Sequence, residues 1–471
     1  MPIASYAALL RIDALVFVVG FGDRASSQKE IILPGPGTTV ARPTDEARDA
    51  TLRPQLKFFD AVATGLAAIL GAGIFAVIAP AARIAGPSLL VSLGIGAFVA
   101  LCNALSSAQL AAFLPRTGGT YEFGKRMIGP WWGFSAGWMF LVANTVGPGA
   151  IALAFGGYLN AVFGVVPVRT AAVLAALTMT VFNAAGIRRS VRLTDLVVVL
   201  SILSLVSVVV IGLPAARASN LAPFAPNGIP GVLQATGLLF FAYTGYSRIA
   251  TLVEEVHDPR RTVPRATVIA LGTATLLYLL VASTALGVLG TSKLSQSSSP
   301  LEETMMVMGS GVGIAIVAAG ALLTTFNEGL SDLLGVSRVA FAMGRGSDLP
   351  SGLARLGGGQ NPWRSVVFVG VVSILVAAFA PFFAAIAVSS FGTLLYYCVT
   401  NLSALRLAKP KRMFPRVLAV AGLVGCVLLA FSLAPEEIAI GLAILFAGLA
   451  FRTLRLAASK RRGVTDAKTQ V

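Results

Sequence analysis

The chain has 471 residues, of which 56% are hydrophobic and only 12% are charged, and its mean hydropathy is +0.83. Soluble domains carry about 25% charged residues, so this composition excludes a soluble globular protein. The net charge of +16 is explained by basic residues in the loops between apolar segments, because cytoplasmic loops concentrate Lys and Arg. The sequence predicts an all-α polytopic membrane protein without a nucleic-acid partner.

Residue types that enzymes and metal centres need are scarce. His257 is the single histidine, and the three cysteines lie in apolar stretches without metal-ligand spacing: Cys102, Cys398 and Cys426. The sequence contains no glycine-rich phosphate loop followed by lysine. We expect no enzymatic activity, no bound metal and no resident cofactor.

The first 56 residues are predicted to form a cytoplasmic tail. Its apolar run at 14–21 is shorter than the ~20 residues that a membrane helix needs. The stretch 34–44 is rich in Pro, Gly and Thr, which is typical of disordered chain. No function is predicted for this tail.

About twelve membrane helices are predicted after the tail, because the apolar runs repeatedly reach the necessary length. Their ranges are 61–82, 89–114, 131–158, 171–186, 196–213, 232–253, 268–289, 312–334, 366–405 and 417–451. Each of the last two ranges is long enough for two helices, which we expect to turn near Pro381 and Pro435.

Basic residues cluster in every second loop, starting with Arg116, Lys125 and Arg126. The loops between these clusters hold only Arg83, Arg169, Arg217 and Lys293. This asymmetry predicts a multi-pass protein of the cytoplasmic membrane with both termini in the cytoplasm.

Two segments contain residues that interrupt a helix in mid-membrane. The first reads Leu70-Gly71-Ala72-Gly73-Ile74-Phe75, and the sixth reads Phe240-Phe241-Ala242-Tyr243-Thr244-Gly245-Tyr246. Breaks five segments apart are what two five-helix repeats of inverted topology would give. Unwound backbone offers amides to a carboxylate and carbonyls to an ammonium group, which suits a zwitterion. Close helix packing through small residues is the alternative.

Four motifs occur in an order that matches a known family. Residues 71–75 resemble the first-helix signature of the amino acid–polyamine–organocation permeases, and residues 114–121 with 129–134 resemble a cytoplasmic-facing loop of that family. Residues 240–265 resemble the sixth helix with its following loop, and 337–350 resemble the end of the eighth helix. The resemblance covers the chain from about residue 60 to 451.

The resemblance implies a ten-helix inverted-repeat transport core at 57–406 with discontinuous helices one and six. Helices eleven and twelve would occupy 407–456, between this core and a cytoplasmic tail at 457–471. It implies a secondary transporter in the lipid bilayer that moves amino acids by alternating access. The driving force would be H⁺ or Na⁺ as a coupling ion, or exchange. The cargo's identity and the oligomeric state stay open.

The family motif also assigns binding roles to residues at the two breaks. The substrate carboxylate would be bound by the amides of Gly71, Ala72, Gly73 and Ile74. The ammonium group would donate to the carbonyls of Leu70, Phe241, Ala242 and Thr244. The side-chain pocket and gate would be shaped by Tyr243, Thr244, Gly245 and Tyr246. Weaker candidates are the hydroxyls of Thr324, Thr325, Ser389 and Ser390, because such hydroxyls more often bond to their own backbone.

The sequence departs from the family pattern at two positions that concern charge. Many members carry a lysine at the position aligned with Ser201, where it stands in for a sodium ion, and serine does not supply that charge. Arg248 follows the sixth-segment break, where a charge is costly and usually functional. It would form an ion pair, bind an acidic substrate or replace the missing lysine. Snorkelling to the cytoplasmic surface is the alternative.

The eighth segment concentrates polar residues, namely Asn327, Glu328 and Asp332. Glu328 and Asp332 are four residues apart and so share one helix face. Buried acids in membranes can carry protons, and this role stays open for Glu328. For Asp332 we favour an ion pair with Arg338 or Arg248 near the cytoplasmic end.

Two other functions stay open for the same scaffold. One is transport of a different small cargo, such as an organic amine, and the other is a sensor that does not transport. Compact Ala72 and the aromatic side chains of Phe241, Tyr243 and Tyr246 favour a neutral amino acid if Arg248 faces away from the site. They favour an acidic amino acid if it faces the site.

Overall fold

The computed structural model describes residues 57–114, 118–186, 191–246, 256–357 and 361–469. These residues form helices joined by short turns, and no β-strand occurs among them. The prediction of an all-α polytopic membrane protein is confirmed. The predicted tail at 1–56 lies outside the described residues, apart from its boundary.

The apolar segments fold into α-helices whose bounds lie close to the predicted ranges. In chain order they are α1 Phe58–Ile69, α2 Ile78–Ala85, α3 Leu89–Phe113, α4 Thr120–Met127, α5 Pro130–Phe163, α6 Val168–Ala184, α7 Val191–Gly212, α8 Gly228–Leu239, α9 Pro259–Gln296, α10 Pro300–Val307, α11 Gly311–Arg345, α12 Trp363–Phe379, α13 Phe382–Leu405, α14 Arg416–Ala430 and α15 Pro435–Thr469. Among the described residues, 7 helical stretches are long and apolar enough to cross a membrane. Three shorter apolar helices are α6, α12 and α14.

Hydropathy alone did not indicate two short helices. They are α4, in the loop after α3, and α10, between α9 and α11. Both have only 8 residues, too few to produce a long apolar run. Turns do occur at Pro381 and just before Pro435, because α12 and α14 end a few residues earlier. Helix α15 continues beyond residue 456, to Thr469.

The first membrane segment is discontinuous, as predicted. α1 ends at Ile69, and Leu70 is extended with φ −70° and ψ 109°. The chain then forms a π-helical turn at Gly73–Val77 before α2 begins. The sixth segment changes in a similar way, because α8 ends at Leu239 and a 3₁₀ stretch follows at Phe240–Tyr246. Such departures from α-helical geometry frequently mark functional sites.

The two breaks touch each other through glycines. A Cβ atom at Gly73 would overlap the backbone of Ala242, and one at Gly245 would overlap the carbonyl group of Ala68. Only glycine lets the two chain segments approach this closely. Spans one and six therefore cross in direct backbone contact.

A buried cluster, which we call the Arg452 cluster, joins α15 to the loops at one end of the bundle. The Arg452 guanidinium lies 3.4 Å from Asp348 Oδ1 and donates to Pro130 O at 2.8 Å. Tyr121 donates its hydroxyl to Asp348 Oδ2 at 2.7 Å, and Trp131 presents its ring to the guanidinium at 4.9 Å. Arg452 is therefore a buried residue that packs between helices, although it is basic and lies near the end of the chain.

Candidate functional site

A carboxylate occupies the break in the first segment. Glu328 on α11 accepts a hydrogen bond from the backbone N–H of Ala72 at 2.7 Å. Its side chain is almost fully buried, at 5% exposed. The Ala72 amide begins the π-helical turn that leads into α2, so the carboxylate lies at the positive end of this half-helix. The structure thus places Glu328 in contact with one of the four amides predicted to bind a substrate.

Gly71 makes room for that carboxylate. A Cβ atom at residue 71 would overlap the Oε2 and Cδ atoms of Glu328. Glycine has no Cβ, so the side chain from α11 can reach the backbone of the break. Gly71, Gly73 and Ile74 are themselves buried, which places the whole first break in the interior.

Tyr278 on α9 connects the two breaks. Its hydroxyl donates to the carbonyl oxygen of Ile69 at 2.6 Å, and the carbonyl oxygen of Ala242 lies 3.2 Å from the same hydroxyl. Ile69 is the last residue of α1, and Ala242 lies in the 3₁₀ stretch of the sixth segment. Tyr278 also lies close enough to Glu328 for electrostatic interaction. A single tyrosine in an apolar segment carries no sequence signal, so sequence reasoning missed this residue.

We expect Tyr278→Phe to lower substrate affinity about tenfold, because the Ile69 and Ala242 carbonyls lose the hydroxyl that fixes their positions, and such a hydrogen bond contributes about 0.5–1.5 kcal/mol. Ligand-dependent thermal stabilisation of the purified protein measures this change. Thr267→Val is the control, since the Thr267 hydroxyl donates to Val263 O of its own helix. Equal affinity in both variants would contradict a bridging role for Tyr278.

Tyr158 on α5 contacts the π-helical turn of the first segment. Its hydroxyl donates to Phe75 O at 2.6 Å, and its ring packs edge-on against the Phe75 ring at 5.9 Å. The backbone N–H of Leu301 on α10 donates to the same hydroxyl oxygen at 3.4 Å. Tyr158 therefore links the π-helical turn to α10, and sequence reasoning missed this link as well.

The predicted aromatic gate residues are buried and pack against neighbouring helices. Tyr243 donates its hydroxyl to Leu93 O on α3 at 3.1 Å. Tyr246 stacks on Tyr397 with ring centroids 5.2 Å apart. Thr244 donates its hydroxyl to Phe241 O at 2.9 Å, so one of the predicted ammonium acceptors already has an internal donor.

Phe241 faces a second group of polar residues, around Gly147 on α5. A Cβ atom at Gly147 would lie 3.8 Å from Phe241 Cε2, 3.7 Å from Asp332 Oδ2 and 3.6 Å from Ser389 Oγ. The Asp332 carboxylate thus lies beside the sixth-segment break, on the face of α11 that also carries Glu328. Arg248, which we considered as its ion-pair partner, lies outside the described residues.

The remaining predicted hydroxyls form hydrogen bonds with the backbone of their own helix or with a neighbouring helix. Ser201 lies 2.5 Å from Thr324 Oγ1 and also donates to Val197 O. Thr325 donates to Ala321 O at 2.6 Å, which is the backbone bonding expected of such hydroxyls. Ser390 reaches the carbonyl of Leu238 in α8 at 3.3 Å. Ser201 and Thr324 thus form a neutral contact at the position where the family resemblance led us to compare Ser201 with a lysine.

A cavity of about 490 Å³ lies beside the π-helical turn. Its walls include Ala76, Arg83, Gly157, Arg169, Ser297 and Phe382. The Arg83 guanidinium packs over the Phe383 ring at 5.3 Å, and Arg169 donates to Ala378 O at 2.8 Å. Arg83 lies near the end of α2 and Arg169 near the start of α6, and the charge pattern predicts that this end of the bundle faces away from the cytoplasm.

Comparison with known proteins identifies a matching family and several relatives. The family model described as amino acid permease matches residues 56–450. An uncharacterised transporter of Mycobacterium tuberculosis is 43% identical over 424 residues, which cover 88% of this chain and 94% of the relative. The branched-chain amino acid permease of Bacillus subtilis is 26% identical, covering 79% of this chain and 85% of the relative. The mouse cationic amino acid transporter 4 is 31% identical, covering 78% of this chain and 62% of the relative.

Proposed function

The chain belongs to the amino acid permease family, and from this premise we propose that it moves amino acids across the cytoplasmic membrane by alternating access. That it is a transporter follows from the family and from the transporters it resembles. The observation that carries the amino-acid assignment is the Ala72 amide, which already binds a carboxylate, that of Glu328, at 2.7 Å.

The geometry of the breaks supports recognition of a zwitterion. The Ala72 N–H lies at the positive end of a half-helix and suits a carboxylate. The carbonyls of Ile69 and Ala242 come together at the Tyr278 hydroxyl, and such a pair suits an ammonium group. Two relatives are named as branched-chain and cationic amino acid transporters. This agrees with a backbone site that binds the carboxylate and ammonium groups common to all amino acids.

The cavity supports access from the outer side. It borders Ala76 of the π-helical turn, and the charge pattern places Arg83 and Arg169 away from the cytoplasm. Both termini are proposed to be cytoplasmic on the same grounds. The driving force is proposed to be an ion gradient or exchange, because the sequence lacks a nucleotide-binding loop.

Counterflow in proteoliposomes tests this proposal. Vesicles loaded with one unlabelled amino acid should accumulate the labelled form from outside when that amino acid is a substrate. A panel of the standard amino acids identifies the class, and protein-free vesicles are the control. Exchange with at least one amino acid is the expected result. Specific binding without exchange would instead indicate a sensor.

An organic amine is the second candidate cargo, and Glu328 is the observation that favours it. A carboxylate that keeps its place at Ala72 would occupy the substrate-carboxylate position and attract a cation lacking a carboxylate. The same vesicles, loaded with amines, separate the two cases. Exchange of amines without exchange of amino acids would replace the amino-acid assignment.

A further inference from the structure

Under the proposed function, two carboxylates compete for the backbone amide of Ala72. The amide predicted to bind the substrate carboxylate is already bonded to Glu328 Oε2. Gly71 leaves no gap there, because even a methyl group at this residue would overlap the Glu328 carboxylate. A substrate carboxylate therefore takes this position only after the side chain of Glu328 has moved away.

Two ionised carboxylates in this interior would repel each other. Two carboxylates that share one site do not both remain ionised at low cost, and one of them gains affinity for a proton. A displaced Glu328 would also lose its bond to the half-helix N-terminus, which stabilises the ionised form. Both effects favour protonation of Glu328 when the substrate is bound.

We propose that Glu328 couples amino-acid binding to the uptake of one proton. The substrate carboxylate replaces Glu328 at the Ala72 amide, and the displaced Glu328 carboxylate forms an O–H bond with a proton taken from a hydronium ion of the solution, which leaves a neutral water molecule. The zwitterion adds no net charge, so the loaded site is one charge more positive than the empty site. This inference rests on the proposed function and assigns its coupling group.

Several other ionisable groups lie on the helices around Glu328. Tyr278 faces it from α9 and is held by the carbonyl oxygen of Ile69. Asp332 lies one turn further along α11 and faces Gly147 and Phe241. Of the other described helices against α11, α1 and α7 carry Asp60 and Asp195 near their ends, and α6 and α12 carry Arg169 and Arg364 near their starts. Helix α10 carries Glu303 and the buried Glu302, next to Leu301 at the Tyr158 hydroxyl. Tyr158, the ionisable residue of α5, lies at Phe75.

The first experiment measures proton uptake by the wild-type protein. A substrate found by counterflow is added to purified protein in weak buffer with a pH-indicating dye. One proton per bound substrate is expected. Over the pH range in which Glu328 of the empty site is ionised, substrate affinity should fall about tenfold for each unit rise in pH. Binding without proton uptake, or binding that requires sodium instead, would overturn the proposal.

The second experiment uses Glu328→Gln, which keeps an oxygen that can accept from Ala72 but lacks the charge. This variant should bind substrate with an affinity that no longer changes with pH, and it should take up no proton on binding. Accumulation driven by a pH gradient should be lost. Glu436→Gln is the matched control, because Glu436 is an exposed residue of α15 and should behave as the wild type.

The two results separate this inference from the proposed function. Wild-type counterflow depends only on exchange and therefore tests amino-acid transport by itself. A Glu328→Gln protein that still couples substrate to protons would refute the role of Glu328 while leaving transport intact. Should that variant fail to fold, the proton stoichiometry of the wild type decides the question.

Discussion

Replacing Gly73 with alanine is expected to lower substrate affinity at least tenfold and to reduce exchange to background. The added methyl group would overlap the backbone of Ala242, so spans one and six would have to separate at the point where their breaks meet. Overpacking of this kind costs about 1–3 kcal/mol, and about 1.4 kcal/mol corresponds to a tenfold change in affinity. Thermal shift with the substrate found by counterflow measures binding, and counterflow measures transport.

Two other glycines provide matched controls for this result. Nothing lies within 4 Å of a Cβ atom built at Gly94 on α3 or at Gly272 on α9. Alanine at either position should leave affinity and exchange unchanged, since both glycines are exposed on helices. Wild-type affinity in Gly73→Ala would show that close crossing of the two breaks is not needed for binding. Equal losses in all three variants would indicate a general effect of alanine on folding.

The positions of the membrane helices were predictable because hydropathy reports burial in lipid directly. A long apolar run must be a helix, since lipid satisfies none of the backbone polar groups. The breaks at Gly71 and Gly245 were predictable for a related reason, because glycine in mid-membrane weakens helical geometry. Hydropathy carries no such information about α4 and α10, whose 8 residues each are stabilised by tertiary contacts.

The contacts that complete the candidate site could not be predicted from the sequence. Helix periodicity showed that Glu328 and Asp332 share a face, but not that this face points towards the breaks. The direction is set by how α11 packs against α1 and α5, which depends on residues far apart in the chain. The bond from Ala72 to Glu328 spans 256 residues, and no local pattern reports it. The hydroxyl of Tyr278 joins two breaks for the same non-local reason.

The positive-inside rule, which describes charges in loops, does not predict that the side chain of Arg452 is buried. Its charge fits the basic pattern of the cytoplasmic ends, but its side chain is only 9% exposed, and that of Asp348 is 11% exposed. A charge this deeply buried is stable when it is paired and hydrogen-bonded. The partners of Arg452 come from α4, α5 and the turn after α11, so its role depends on tertiary structure.

Replacing Arg452 with methionine is therefore expected to destabilise the protein by about 3–5 kcal/mol, the usual cost of leaving one charge of a buried pair without its partner. Asp348 would retain only the hydrogen bond from Tyr121. The double variant Arg452→Met with Asp348→Asn should be more stable than Arg452→Met alone, because asparagine still accepts from Tyr121 and carries no charge. Thermal unfolding of the purified proteins in detergent measures the order of stabilities.

The order of these stabilities distinguishes an ion pair from simple packing. Arg455→Met is the control, since Arg455 lies almost one turn further along α15 and is only partly buried. It should unfold at nearly the wild-type temperature. If the cluster acted only through the bulk of the Arg452 side chain, the double variant would be less stable than Arg452→Met. The rescue expected from Asp348→Asn requires the carboxylate charge to be the destabilising group, which is what burial beside Tyr121 predicts.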